Sequence, residues 1–97
     1  MILHIVSASP FRHDTLQRCL SLASEQDGIL LIEDGVFALT NPVQHLPQPL
    51  PTHHMFALAS DLQARGIDAK TNTSITIVDY EGFVTLATQF SKTLTWF

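Results

Sequence analysis

Ile29-Leu30-Leu31-Ile32, opened by Gln26-Asp27-Gly28 and closed by Glu33-Asp34-Gly35, is the stretch whose reading decides the fold. Four successive apolar residues leave no polar side. In a strand, neighbouring side chains point to opposite faces, so this strand is buried on both. That is the condition inside a parallel sheet with helices above and below it. Working outward, Ile2 to Val6 is a short apolar run with one histidine, and His54 to Leu58 and Ser74 to Val78 read as two further strands. The β-prone tail from Thr93 to Phe97 is predicted as a fifth, edge strand. The intervals read as helices. Asp14 with Gln17 resembles a capping box, for a helix running to about Ser24. Val36 to Leu39 makes a helical turn or two. Ser60-Asp61-Leu62-Gln63 is a second capping box, with Gly66 placed to end its helix at C′. Asp79 caps a last helix with Tyr80, Phe83, Val84, Ala87 and Phe90 at helical spacing. Pro42, Pro47, Pro49 and Pro51 make the stretch between strands two and three an extended loop. Strand and helix alternate throughout. The expectation is one α/β domain over residues 1–97, a three-layer sandwich with a mainly parallel four- to five-stranded sheet and helices on both faces.

Composition narrows the function. Charged residues make up 14% of the chain, against about 25% in ordinary soluble domains. A domain of 97 residues has much surface to cover, so charge depletion points to surface buried against other chains. The proline loop and Val36 to Leu39 are the expected contact regions. Nine acids oppose five bases, a net charge of −4, and the bases are scattered. Direct nucleic-acid binding is therefore not expected. The opening Met-Ile-Leu-His-Ile-Val-Ser has no basic start or cleavage site, and no apolar run approaches about 20 residues. One cysteine forms no internal disulfide and suits a reducing compartment. The expectation is a soluble, cytoplasmic protein that does not engage membranes.

Ligands of open α/β sheets collect at the carboxyl ends of the strands, where this chain places Ser7, Ser9, Asp34, Ser60 and Asp79. No glycine-rich phosphate loop is present. The acidic residues that a phospho-receiver needs after strand one are replaced by Ser7-Ala8-Ser9, so Asp34 and Asp79 are read as loop braces. His4 sits inside strand one, and His53 and His54 point to opposite faces. No histidine pair has helical zinc spacing, so no metal or cofactor is expected. Cys19 is the one strong nucleophile. It shares a helical stripe with Leu16, Leu20 and Ala23, which favours a buried, inert thiol. Arg18 is adjacent in sequence but faces elsewhere. His13 is near enough in sequence to assist a thiolate.

Five segments together resemble one family. They are His4 with Ser9-Pro10-Phe11, the run from Leu30 to Val36, Asp61-Leu62-Gln63-Ala64-Arg65-Gly66, Val78-Asp79-Tyr80 followed by Phe83, Val84 and Leu86, and Trp96. In this order and spacing, over nearly the whole chain, they are similar to the TusB/DsrH family of small sulfur-relay subunits. The resemblance implies TusC-like and TusD-like partners (or DsrF- and DsrE-like ones) in a dimer of heterotrimers. Such complexes accept persulfide sulfur through sulfur-carrier proteins and pass it toward 2-thiolation of a tRNA wobble uridine. In sulfur-oxidising bacteria, the similar subunits serve cytoplasmic sulfur oxidation. The main acceptor cysteine of the Tus complex lies on the TusD-like chain. DsrH-like members carry a cysteine in a Leu-x-x-Cys-Leu context, which Leu16-Gln17-Arg18-Cys19-Leu20 matches, whereas some TusB members have an apolar residue there. By resemblance Cys19 is thus the candidate persulfide carrier, although its helical stripe argues for burial. Two expectations stand: a non-catalytic subunit with an assembly role, or a persulfide station at Cys19.

Overall fold

A computed structural model describes residues 1–40, 54–68 and 75–97. The proline-rich stretch, His53 and Ser74 lie outside the described residues. In chain order the elements are β1 (Ile2–Val6), α1 (Thr15–Leu22), β2 (Gly28–Leu31), a 3₁₀ helix (Glu33–Thr40), β3 (His54–Leu58), α2 (Ala59–Ala64), β4 (Ile75–Val78), α3 (Tyr80–Gln89) and β5 (Lys92–Trp96). The five strands form one sheet in the order β4-β3-β2-β1-β5. All four pairings are parallel, and the tail strand lies at the edge, beside β1.

The order of strands explains where the helices lie. From β1 to β4 the chain steps steadily across the sheet, and then returns past three strands to place β5. Right-handed crossovers in opposite directions put their helices on opposite faces. Accordingly α1, the 3₁₀ helix and α2 cover one face, where Val6, Leu16, Cys19, Ile29, Leu31, Val36, Leu62 and Ile75 share one core. The other face is covered by α3, where Leu3, Ile5, Leu30 and Leu86 form a second. The deciding stretch now has its reason: Ile29 and Leu31 enter the first core, Leu30 the second, and all three are fully buried. Each such side chain contributes about 1.5–3 kcal/mol by leaving water.

Local signals fared unevenly. Asp79 caps α3 as its position predicts, its carboxylate accepting the Gly82 N–H at 2.7 Å. Gly66 takes φ 66°. The Gly66 and Ile67 N–H groups donate to the carbonyls of Gln63 and Leu62, the paired bonds of a Schellman ending. The two capping boxes are not made. Asp14 has φ −92° and ψ 12° and no side-chain cap. An N-cap normally needs extended backbone to turn its oxygen over the first amides. Its carboxylate binds Arg18 instead, at 3.1 Å, and α1 ends at Leu22, before Ser24. Helix α2 begins at Ala59, with Leu58 in the cap position. Ser60 therefore lies inside the first turn, and Asp61 is free to accept the Glu33 N–H at 2.7 Å. The contact reading of Val36 to Leu39 is also corrected. Val36, Ala38 and Leu39 are buried in the first core, because the 3₁₀ helix packs back on β2 and β3.

Gly35 shows how tightly that return is made. The Val6 carbonyl accepts the Ile32 N–H at 3.0 Å, and the Gly35 N–H donates to the Ile32 carbonyl at 2.8 Å. A Cβ on Gly35 would run into the backbone carbonyl oxygen of Val6. Gly35→Ala is expected to lower stability by about 2–3 kcal/mol, because backbone rather than a flexible side chain must move. A shift of the urea midpoint measures it, and an unchanged midpoint would show that the turn has slack.

Candidate functional site

Cys19 lies on the inner side of α1, fully buried with Thr15 and Leu16. Leu20 and Ala23 pack partly buried against the same core, so the helical stripe reads correctly. Arg18 points outward to Asp14. His13 is exposed, and its N–H is bonded to the Ser9 carbonyl. The imidazole is thus on the solvent side of the turn while the thiol faces the core. Burial, with a smaller contribution from the charge of Asp27, pushes the Cys19 thiol up to about 12. At neutral pH this leaves almost no thiolate, the form that attacks a sulfur–sulfur bond.

The Asp27 carboxylate belongs to a buried cluster that joins three parts of the chain. His4 Nε2 is 2.9 Å from Asp27 Oδ2. The N–H groups of Ile2 and Ser24 donate to the same carboxylate at 2.9 and 3.1 Å. Trp96 Nε1–H donates to His4 Nδ1 at 3.0 Å. His4 and Asp27 are 3% and 5% exposed, which places both outside the reach of bulk water. Indole nitrogen can only donate, so Nδ1 is the acceptor and Nε2 carries the proton that Asp27 receives. His4 is therefore neutral in this arrangement. Burial alone would raise the Asp27 carboxyl, but the hydrogen bonds from His4, Ile2 and Ser24 outweigh it and hold the group well below the usual carboxylate range. With both imidazole nitrogens engaged, the cluster fastens the start of β1, the α1–β2 turn and the end of β5, and offers no free position to a substrate.

The carboxyl edge of the sheet is braced in the same way. Ser9 Oγ accepts the Phe11 N–H at 3.2 Å. Asp34 accepts from Arg65 at 3.0 Å, and the Arg65 guanidinium also lies 5.9 Å from the Phe37 ring centre. Asp34 and Asp79 thus act as the loop braces the sequence suggests. An open cleft of about 270 Å³, lined by Met1, His54, Phe56, Leu86, Gln89 and Phe90, lies under α3 beside the start of β3, away from Cys19. Among the described residues, no group of three or more His, Cys, Asp or Glu side chains could hold a metal ion, and no helix is long and apolar enough to cross a membrane.

The outer surface is poor in charge on one side. Helix α3 carries a single charged residue, Glu81, and leaves Tyr80 and Val84 exposed one turn apart. In β5 every side chain from Lys92 to Thr95 is exposed, and only Trp96 is partly buried.

The sequence does not flag the clasp of His4, Asp27 and Trp96. A histidine inside an apolar strand is its one local signal, since a buried imidazole needs partners. The partners come from 23 and 92 positions away.

Comparisons with known proteins agree with this architecture. The solution NMR structure of protein Tm0979 from Thermotoga maritima superposes with a TM-score of 0.70, covering 92% of this chain and 93% of that one at 22% identity. Two relatives, both named Protein TusB, come from Erwinia tasmaniensis and Yersinia pestis strain Pestoides F. Each is 34% identical over 96 residues, which is 98% of this chain and all of the relative. The family model described as DsrH like protein matches residues 8–93. With the match running from just after β1 into β5 and the identity running the length of the TusB relatives, the chain belongs to the DsrH-like family.

Proposed function

We propose that this chain is a TusB-like assembly subunit of a sulfur-relay complex, which helps build the complex without itself holding sulfur. The observation that supports this most is the burial of Cys19, the only cysteine of the chain. Relay by persulfide needs a thiolate that can attack the outer sulfur of a partner's persulfide and then yield that sulfur to the next thiol. A buried thiol pushed up to about 12 meets neither requirement. The charge-poor surface supports assembly with TusC-like and TusD-like chains in a dimer of heterotrimers. In that reading the complex works in the cytoplasm and passes persulfide sulfur toward 2-thiolation of a tRNA wobble uridine. The partner chains, not this one, contact sulfur carriers and supply the reactive cysteine. The Leu-x-x-Cys-Leu context favours a second reading, in which Cys19 is a persulfide station in cytoplasmic sulfur oxidation.

Co-expression tests the assembly reading. Tagged TusC-like and TusD-like chains from the same genome are expected to retain this chain through size-exclusion chromatography, in equal amounts. A chain that elutes alone as a stable monomer in their presence contradicts it.

A further inference from the structure

We infer that the clasp of His4, Asp27 and Trp96 is a proton-controlled fastening for β5, closed while the imidazole is neutral and released when it takes a second proton. The strand it secures is loosely held by its side chains. β5 is an edge strand paired only to β1, and Trp96 is its one partly buried side chain. The indole reaches inward because Trp96 pairs with Val6 and Leu94 with His4, so the indole and imidazole stand on the same face of the sheet two residues apart. Their rings lie 6.0 Å apart between centres, joined by the bond from Nε1–H to Nδ1.

A second proton on His4 must go to Nδ1, because Nε2 already carries one. Nδ1 then becomes a donor facing the indole donor, and a contact of 3.0 Å between two N–H groups cannot persist. The bond to Asp27 is strengthened by the same event, since it becomes a bond between imidazolium and carboxylate. The proton therefore keeps His4 on Asp27 and frees Trp96. This predicts a local opening at β5 with β1 and β2 still in place.

The surroundings add no competing control. Asp27 is the charged group in contact with His4. On α1 the facing titratable group is the Cys19 thiol, uncharged at neutral pH, and Arg18 points away to Asp14. The neighbours in register are Ile29 on β2 and Leu94 on β5, both apolar. Glu25 in the α1–β2 turn and Lys92 on β5 are exposed, and the Met1 amino group donates to Ser91 Oγ.

The test uses the only tryptophan of the chain. Nitrogen-15 NMR of the full-length protein follows the His4 ring, the Trp96 indole N–H and the backbone amides from about pH 8 to about pH 4. The expected result is a shift of the indole N–H with the same midpoint as His4 protonation. Exchange of β5 amides, corrected for intrinsic rate, should rise about tenfold relative to β2, the loss of one hydrogen bond. His4→Gln should abolish the pH dependence of both signals. If that variant does not fold, the wild-type ring shifts still decide. A protonated His4 with an unmoved Trp96 indole overturns the inference. So does a His4 that stays neutral throughout, or an opening in which β2 and β5 lose protection together.

Discussion

Asp27→Ala lowers the stability of this domain by about 2–4 kcal/mol, because it removes the hydrogen bonds to a charged carboxylate and leaves the buried, neutral His4 N–H without its acceptor. The carboxylate is only 5% exposed and receives three donors, His4 Nε2–H and the N–H groups of Ile2 and Ser24. Alanine removes the acceptor from all three at once, and the His4 N–H, which is buried, has no water to replace it. Against a total of about 5–15 kcal/mol for a domain of this kind, such a loss is a large fraction of the stability. Urea denaturation measures it. A loss below about 1 kcal/mol would mean that water replaces the carboxylate at little cost. Asp27→Asn keeps one acceptor and is expected to cost about half as much.

The same group gives a pH signature with a definite sign. Asp27 is held well below the usual carboxylate range in the folded protein. In the unfolded chain it titrates near the ordinary value of about 3.9. Its contribution is therefore fully present above about pH 5 and is lost as pH falls through the acid range toward the folded value, where the unfolded state binds the extra proton first. The difference between wild type and Asp27→Asn should accordingly shrink on going from about pH 4.5 to about pH 2.5, a window that isolates the carboxyl from the imidazole. A difference that stays constant, or grows, contradicts the assignment.

The second large effect concerns reactivity. With its thiol moved from 9.0 to about 12, Cys19 has about a thousandfold less thiolate at neutral pH than an ordinary thiol, before burial restricts access further. Alkylation by iodoacetamide under native conditions is expected to be slower than for the urea-unfolded chain by at least that factor. It should also depend on opening of the fold. Labelling at a rate within tenfold of the unfolded chain would mean that α1 leaves the core readily. Asp27→Asn should also make the thiol slightly more acidic, since the charge of Asp27 contributes to its elevation.

Much of the architecture is legible in the residues. The double-faced burial of Ile29 to Leu31, the alternation of strand and helix, the cap at Asp79 and the stripe carrying Leu16 and Cys19 each follow from local periodicity. What escapes has a common cause, dependence on residues far apart in the chain. Ser60 and Gln63 would form a capping box if α2 began two residues later, but the helix starts at Ala59 and Asp61 braces Glu33, 28 positions upstream. Val36 and Leu39 look like a surface segment only until the 3₁₀ helix is folded back on β2 and β3. The clasp needs the register of β5 on β1, and nothing in either strand alone specifies that pairing. The consequence for function is specific. The strongest chemical clue in the sequence is a cysteine in a family context, and the fold encloses that cysteine within its core.

Whether persulfide sulfur reaches Cys19 decides between an assembly subunit and a relay station. The complex of this chain with its TusC-like and TusD-like partners is loaded from a persulfide donor and analysed subunit by subunit by intact mass. In parallel, relay to the downstream acceptor is followed with Cys19→Ala in place of the wild type. A sulfur adduct is expected on a partner cysteine, none on Cys19, and relay should be unchanged in the variant once assembly is confirmed. A sulfur adduct on Cys19 that forms and discharges during turnover, with relay lost in an assembled Cys19→Ala complex, would contradict the assembly reading.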